Sequence, residues 1–175
     1  HVTRSMLENA KRGFWNGSRP PFGFRTYVAE RAGAKEKKKL EIDPGQAEIV
    51  KLIFQLYVYG DGKSGPLGIK NTVSYLSAKG LTMGNGMPFR LQTVQLILRR
   101  TAYIGLHYFN RRDSRTKAPR PREEWIALKV PRIVEDDLFY AAQAQLEARN
   151  PKITPPGISN SIILLTGIAR CEHCG

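Results

Sequence analysis

The chain has 175 residues, enough to bury one sizeable core, since single domains most often run to roughly 100–150 residues. Lys and Arg total 28 against 15 Asp and Glu, a formal charge of +13 that favours a polyanionic partner, nucleic acid first and an anionic membrane second. No apolar run approaches the ~18 residues of a spanning helix, and the polar start His1-Val2-Thr3-Arg4 is no signal peptide. The only cysteines, Cys171 and Cys174, exclude a disulfide framework and favour an intracellular compartment.

Residues 3–11 are expected to form the end of a helix, followed to Tyr27 by an extended segment mixing basic residues with Gly, Pro and aromatics. The charged run 35–39 is expected to be a solvated loop joining two short strands, 23–30 and 39–42. A well-marked helix start follows. Asp43 can cap, Pro44 suits the first helical position and Gln46 sits where a capping-box partner belongs. Ala47, Val50, Ile53, Phe54 and Val58 then share one face before Gly60, Asp61 and Gly62 end the helix. A second helix is signalled by Pro66 near its start, by Ile69, Val73 and Leu76 on one face, and by Gly80 as a left-handed stop.

A third helix is predicted over 91–100, with Leu91, Val94, Ile97 and Leu98 inward and Gln92, Thr93, Gln95, Arg99 and Arg100 outside or at its end. Two helices, a loop and a third helix with a free Gln, Thr and Arg face fit a helix-turn-helix reader, and equally a three-helix core with an ordinary polar face. Residues 103–110 alternate and are rich in aromatics, so they read as a strand, paired with 124–129 across a basic loop. Residues 99–122 hold eight Lys or Arg against one acid, Asp113, a density that favours phosphate contact over a random solvated face. A last helix, about 135–150, starts with three acids that suit the positive helix N-terminus and buries Leu138, Phe139, Ala142 and Leu146. Residues 151–161 form a linker rich in Pro, Gly and Ser. Trp125 reads as structural. The fold class is therefore α+β, mostly helical, with a helix-turn-helix-like helical core and a small antiparallel β-sheet.

No catalytic residue is predicted in this chain. The acids are isolated or grouped at a helix start, and His1, His107 and His173 lie apart without an activated nucleophile beside them. Residues 60–65 are rich in Gly but lack phosphate-loop spacing. Cys171-Glu172-His173-Cys174 has zinc-knuckle spacing, which is half of a tetrahedral site, so no metal is expected on this chain alone.

Several landmarks then occur in order: Gly17-Ser18-Arg19-Pro20-Pro21-Phe22-Gly23-Phe24, Ile42-Asp43-Pro44 through Ile53-Phe54 and Tyr57, Gly80-Leu81-Thr82, Thr93-Val94 with Ile97-Leu98, Tyr103-Ile104-Gly105, Pro131-Arg132-Ile133-Val134, and Leu164-Leu165-Thr166-Gly167-Ile168 leading into Cys171 and Cys174. Together they resemble the recombinase domain of large serine recombinases, the integrases and transposases of phages and mobile elements. Departures fall around the third helix: Phe89 stands for the usual Trp, Arg90 for a Ser or Thr cap, and Arg100-Thr101 for Asn-Pro.

The resemblance implies an arm over 1–30 that follows a catalytic-domain helix, a DNA-binding domain over 31–150, and a linker with the start of a truncated zinc ribbon over 151–175. It implies a catalytic serine domain ahead of His1, zinc bound through Cys171 and Cys174 only in the full-length protein, and no cofactor in this fragment. The implied partner is double-stranded DNA at attachment half-sites, with the intact protein forming a dimer and a synaptic tetramer, without a membrane. The implied location is the bacterial cytoplasm at the nucleoid. Candidate DNA contacts are Gln92, Thr93 and Gln95 with Arg90, Arg99 and Arg100 on the third helix, Arg12, Arg19 and Arg25 on the arm, and Arg111 and Arg112 on the basic loop. The arm residues read alternatively as a strap, with Phe14, Trp15, Phe22 and Phe24 packed into the core. Competing readings are a helix-turn-helix regulator, a structural coupling module, and an RNA-binding module stacking bases on Tyr103, Tyr108 and Phe109.

Overall fold

The computed structural model describes residues 2–17, 19–32, 35–113 and 115–150. The order is α1 (Val2–Lys11), β1 (Phe24–Ala32), β2 (Lys35–Ile42), α2 (Pro44–Val58), α3 (Ile69–Ala78), α4 (Leu91–Arg99), β3 (Leu106–Phe109), β4 (Ile126–Lys129) and α5 (Asp136–Ala148), with single 3-10 turns over Thr101–Ile104 and Arg122–Glu124. Two separate antiparallel ribbons, β1 with β2 and β3 with β4, flank a helical core, which is the expected α+β class.

α2 forms the spine because its apolar residues surround it: Val50, Ile53 and Phe54 are wholly buried, with Ala47, Leu56 and Tyr57 beside them. Asp43 Oδ1 caps it by accepting from the Gln46 amide at 3.1 Å. The expected capping box is only half formed. Gln46 Oε1 accepts from the Gly23 amide at 3.0 Å instead of returning to the Asp43 amide, which donates to the Gly23 carbonyl. The cap thus ties the start of α2 to the entry of β1. α3 begins at Ile69, with Gly68 as its N-cap and Pro66 still outside it. It ends as predicted on Gly80 (φ +67°), where the Gly80 amide reaches Ser77 O and the Leu81 amide reaches Leu76 O.

The connection from α3 to α4 over 79–90 is longer than a tight helix-turn-helix link and carries its own small turn. Thr82 bridges Pro88, the Met83 amide donates to Met87 O, and Asn85 Oδ1 accepts from the Met87 amide. α4 buries Val94, Ile97 and Leu98, but Leu91, expected inward, is 53% exposed. It sits on the first turn, before the helix has met its neighbours. α5 holds α2 and α4 in place through carbonyls that a helix C-terminus leaves unpaired. Gln143 Nε2 donates to Leu98 O at 2.6 Å and Gln145 Nε2 to Val58 O at 3.2 Å, while Arg149 donates to Leu67 O and Pro66 O. Phe139, Ala142 and Leu146 pack below as predicted, and Leu138 is half-buried.

The charged run 35–39 is not a loop. It is part of β2, paired from Lys35 with Ala32 through Ile42 with Phe24, with a bulge at Ala29. Alternation lets the strand satisfy its charges: Lys37 meets Glu30 at 3.0 Å and stands over the Phe14 ring, while Leu40 turns inward. The predicted strand 103–110 shortens to β3, since Tyr103 lies in the 3-10 turn and is buried. Its hydroxyl donates to Phe22 O at 2.8 Å and its ring stacks on Phe24 at 5.8 Å. β4 starts at Ile126, leaving Glu124 in the second 3-10 turn.

The segment between α1 and β1 is the strap the aromatics predict. Phe14 is buried beneath Arg12, Lys37 and Lys39, the Trp15 amide donates to Lys38 O, and the Trp15 ring meets His107 at 4.9 Å. Phe22 meets Phe89 edge-on at 5.2 Å, and Phe24 is buried. Residues 151–175, with the predicted linker and Cys171 and Cys174, lie outside the described residues.

Candidate nucleic-acid interface

α4 turns one stripe to solvent. At about 100° per residue, Gln92 and Arg99 fall at its centre, with Gln95 and Leu96 on either side. Gln92, Leu96 and Arg99 are exposed, whereas Gln95, Thr93 and Arg100 are half-buried. Arg90 precedes the helix in extended backbone (φ −111°, ψ 159°) with no side-chain cap bond. No side-chain hydrogen bond or ion pair within the described residues engages Arg90, Gln92, Gln95 or Arg99. The stripe has no acid. Beneath Gln95 and Arg99 lies a concavity of about 340 Å³ floored by Tyr57 and Arg149. Burial raises the Tyr57 hydroxyl above its usual range against the opposing pull of Arg149 and Arg99.

The loop joining β3 to β4 is a folded basic hairpin. Asn110 and Lys117 take positive φ (64° and 61°), and Arg112 bridges Pro119. Asp113, the one acid ahead of the closing Glu123-Glu124 pair, is turned toward its own turn. Asp113 Oδ1 accepts from the Arg115 and Thr116 amides at 2.9 and 3.0 Å, while Oδ2 takes the Arg120 guanidinium at 2.6 Å. Those amide bonds, with Arg120, hold the Asp113 carboxyl down to about 2, so it is ionised at any working pH. Arg120 also grips Glu124 at 2.6 Å. Among the described residues, the clamp leaves Arg111, Arg112, Arg115 and Arg122 without a carboxylate. Arg111 and Arg122 lie over the Trp125 ring at 4.9 and 5.7 Å, and the indole donates to Arg120 O at 2.9 Å. Trp125 is thus the structural residue predicted, and it also positions two of the cations.

The three arm arginines are sorted differently. Arg12, on the strap, is held by Glu30 of β1 at 3.0 Å and Arg25 of β1 by Glu41 of β2 at 2.8 Å, both partly exposed pairs. Arg19 is exposed, with no ion pair among the described residues, beside a shallow hollow near Phe22, Gln46 and Asn85. Sequence reasoning missed Leu96, which it assigned to neither face, and did not single out Arg115 and Arg122. The signal for Leu96 was present, because its position lies off the arc of Val94, Ile97 and Leu98.

The chain matches the Recombinase family over residues 44–149, which includes α2 to α5 and both β3 and β4. The chain belongs to the Recombinase family. Among curated proteins, this Recombinase chain is 30% identical over 155 residues to the "Putative DNA recombinase" of Bacillus subtilis (strain 168), covering 81% of the chain and 30% of that relative. Its fold is shared with the structure described as "Crystal Structure of a LSR-DNA Complex" (TM-score 0.60, 16% identity, 99% of this chain and 47% of that one). It is shared also with that described as "Sequence Requirements of the Listeria innocua prophage attP site" (TM-score 0.58, 16% identity, 99% and 62%). The Recombinase chain therefore spans under a third of the curated relative and about half of the solved chains. The family and fold expected from the landmark motifs are those found. Among the described residues, no helix is long and apolar enough to cross a membrane, and no group of three or more His, Cys, Asp or Glu could hold a metal.

Proposed function

We propose that this domain binds duplex DNA at attachment half-sites as the target-recognition part of a serine site-specific recombinase, with α4 in the major groove and the basic hairpin on the phosphates. The observation that carries the reading is the sorting of charge. Glu30, Glu41, Asp113, Glu124, Glu135 and Asp136 are each taken up by a cation of the domain, whereas among the described residues Arg90 and Arg99 by α4 and Arg111, Arg112, Arg115 and Arg122 on the hairpin meet no carboxylate. That is the arrangement a polyanion requires, with phosphates holding the register and base edges read by the helix. Gln92 and Gln95 suit adenine edges, Arg90 or Arg99 suits guanine, and Arg100, Arg111 and Arg112 suit phosphates. Thr93 lies at the edge of the same face. The fold shared with a protein solved on DNA supports the assignment.

In the intact protein, a catalytic serine domain and a zinc ribbon are proposed to flank this one, with assembly into a dimer and a synaptic tetramer. Cys171 and Cys174 would supply two of the four ligands of a closed zinc site. The DNA contacts proposed for α4 and the hairpin need neither of them. The RNA-binding alternative loses its central platform, because Tyr103 is only 1% exposed. The test is selection of the chain on a randomised duplex pool at about 150 mM salt, where non-specific binding is weakened. A consensus is expected, Gln95→Ala relaxing one position in it, and Arg112→Ala weakening all sequences and lowering the salt slope by about 1. Salt-sensitive retention without a consensus overturns base reading by α4.

A further inference from the structure

We infer that Leu96 reads the C5-methyl group of a thymine, and so acts as a specificity-determining residue beside the polar contacts of α4; this rests on the proposed binding of duplex DNA. Leu96 is 55% exposed although α4 has a buried face available to an apolar residue. Its neighbours one turn away are Gln92, Thr93, Arg99 and Arg100, all polar or charged. It is therefore a single apolar group inside a polar, cationic stripe and not part of a broad apolar patch, which is what a protein-docking surface presents. Leu91, also exposed, lies about 140° away around the helix.

In the major groove, the thymine methyl is the one apolar feature among hydrogen-bonding edges, and an aliphatic side chain is its natural partner. Leu96 is also placed for it along the axis. At 1.5 Å per residue it stands about 6 Å from Gln92, close to two base-pair steps of 3.4 Å. A Gln on an adenine edge would thus sit about two steps from the leucine on a thymine.

The test uses the full 175-residue chain and the duplex consensus enriched by selection, with each thymine replaced in turn by deoxyuridine, which removes the methyl alone. One position is expected to lose about fourfold in affinity, the equivalent of roughly 0.8 kcal/mol for one buried methyl. Leu96→Ala should abolish the difference between thymine and uracil at that position, and Leu96→Met should keep part of it. Circular dichroism of both variants should match the parent, since the side chain is outside the core. Uracil at every position bound as well as thymine, or a methyl effect that survives Leu96→Ala, refutes the role of Leu96 while leaving duplex binding intact. A change in sedimentation with no change in DNA reading refutes it too, and assigns Leu96 to a contact between protein chains. Failure to enrich any consensus removes the underlying DNA-reading proposal and this inference with it.

Discussion

Replacing Tyr103 by Phe isolates one hydroxyl that joins the N-terminal strap to the helical core. The ring is 1% exposed and stacks on Phe24, with Phe54 edge-on at 6.1 Å, and phenylalanine preserves both contacts. What disappears is the 2.8 Å bond to Phe22 O, the only hydrogen bond that carbonyl receives among the described residues. A net bond is worth about 0.5–1.5 kcal/mol and a stranded partly buried acceptor raises the cost to about 1–3, so a loss of about 2 kcal/mol is expected. For a chain of this size that lowers the melting temperature by about 4–8 °C. The assay is urea denaturation of parent and Y103F, repeated between pH 8 and 12. Burial holds the Tyr103 hydroxyl well above its usual range of 10, against a smaller opposing effect of Arg100. The unfolded chain therefore ionises first, and the parent loses stability as pH rises past about 10. Y103F should lose less over that window, keeping only the share from Tyr57, which burial also raises. A Y103F stability within about 0.3 kcal/mol of the parent, with an unchanged alkaline slope, would refute the pin.

Three further outcomes follow from the same geometry. His107 is depressed to about 4 by burial, with Arg100 and Arg111 adding to it, so the unfolded chain binds a proton that the fold rejects, and stability should fall as pH drops from about 6.5 towards 4; His107→Gln should flatten that stretch of the denaturation profile. Asp113→Ala distinguishes structure from bulk charge: it makes the chain more cationic, yet it removes two turn bonds and the Arg120 clamp, so duplex affinity measured by anisotropy should fall, and a gain would show that the hairpin needs no internal order. Gly60→Ala places a methyl carbon 1.8 Å from Gly65 O at φ +90°, and should cost more than about 2 kcal/mol in urea denaturation.

The helix boundaries were legible because their signals are local. Asp43 and Pro44 start α2, and Gly80 stops α3, through contacts spanning a few residues. What stayed hidden depends on distant partners. The run 35–39 looks like a solvated loop until Glu30, Phe14 and the strand opposite are supplied. Tyr103 alternates like a strand residue, but its place is decided by Phe22 and Phe24, some eighty positions earlier. The candidate site divides in the same way. The stripe of Gln92, Gln95 and Arg99 followed from helical spacing, while the ion pair of Arg25 comes from β1–β2 pairing and that of Arg12 from the strap crossing β1 at Glu30, neither of which the sequence displays. Leu91 shows the limit of periodicity, since a residue on the right arc is buried only where a neighbouring element covers it.

The clamped Asp113 of the β3–β4 hairpin has a thermodynamic consequence. Asp113, Arg120 and Glu124 are already closed upon one another, so the ends of the loop are tied together without any ligand. A loose basic tail would order on contact, with a large unfavourable entropy and a slow isomerisation after encounter. A preformed hairpin should instead associate in one kinetic phase whose rate rises steeply as ionic strength falls. On the proposed DNA-binding role, its exposed guanidinium groups would act as steering charges.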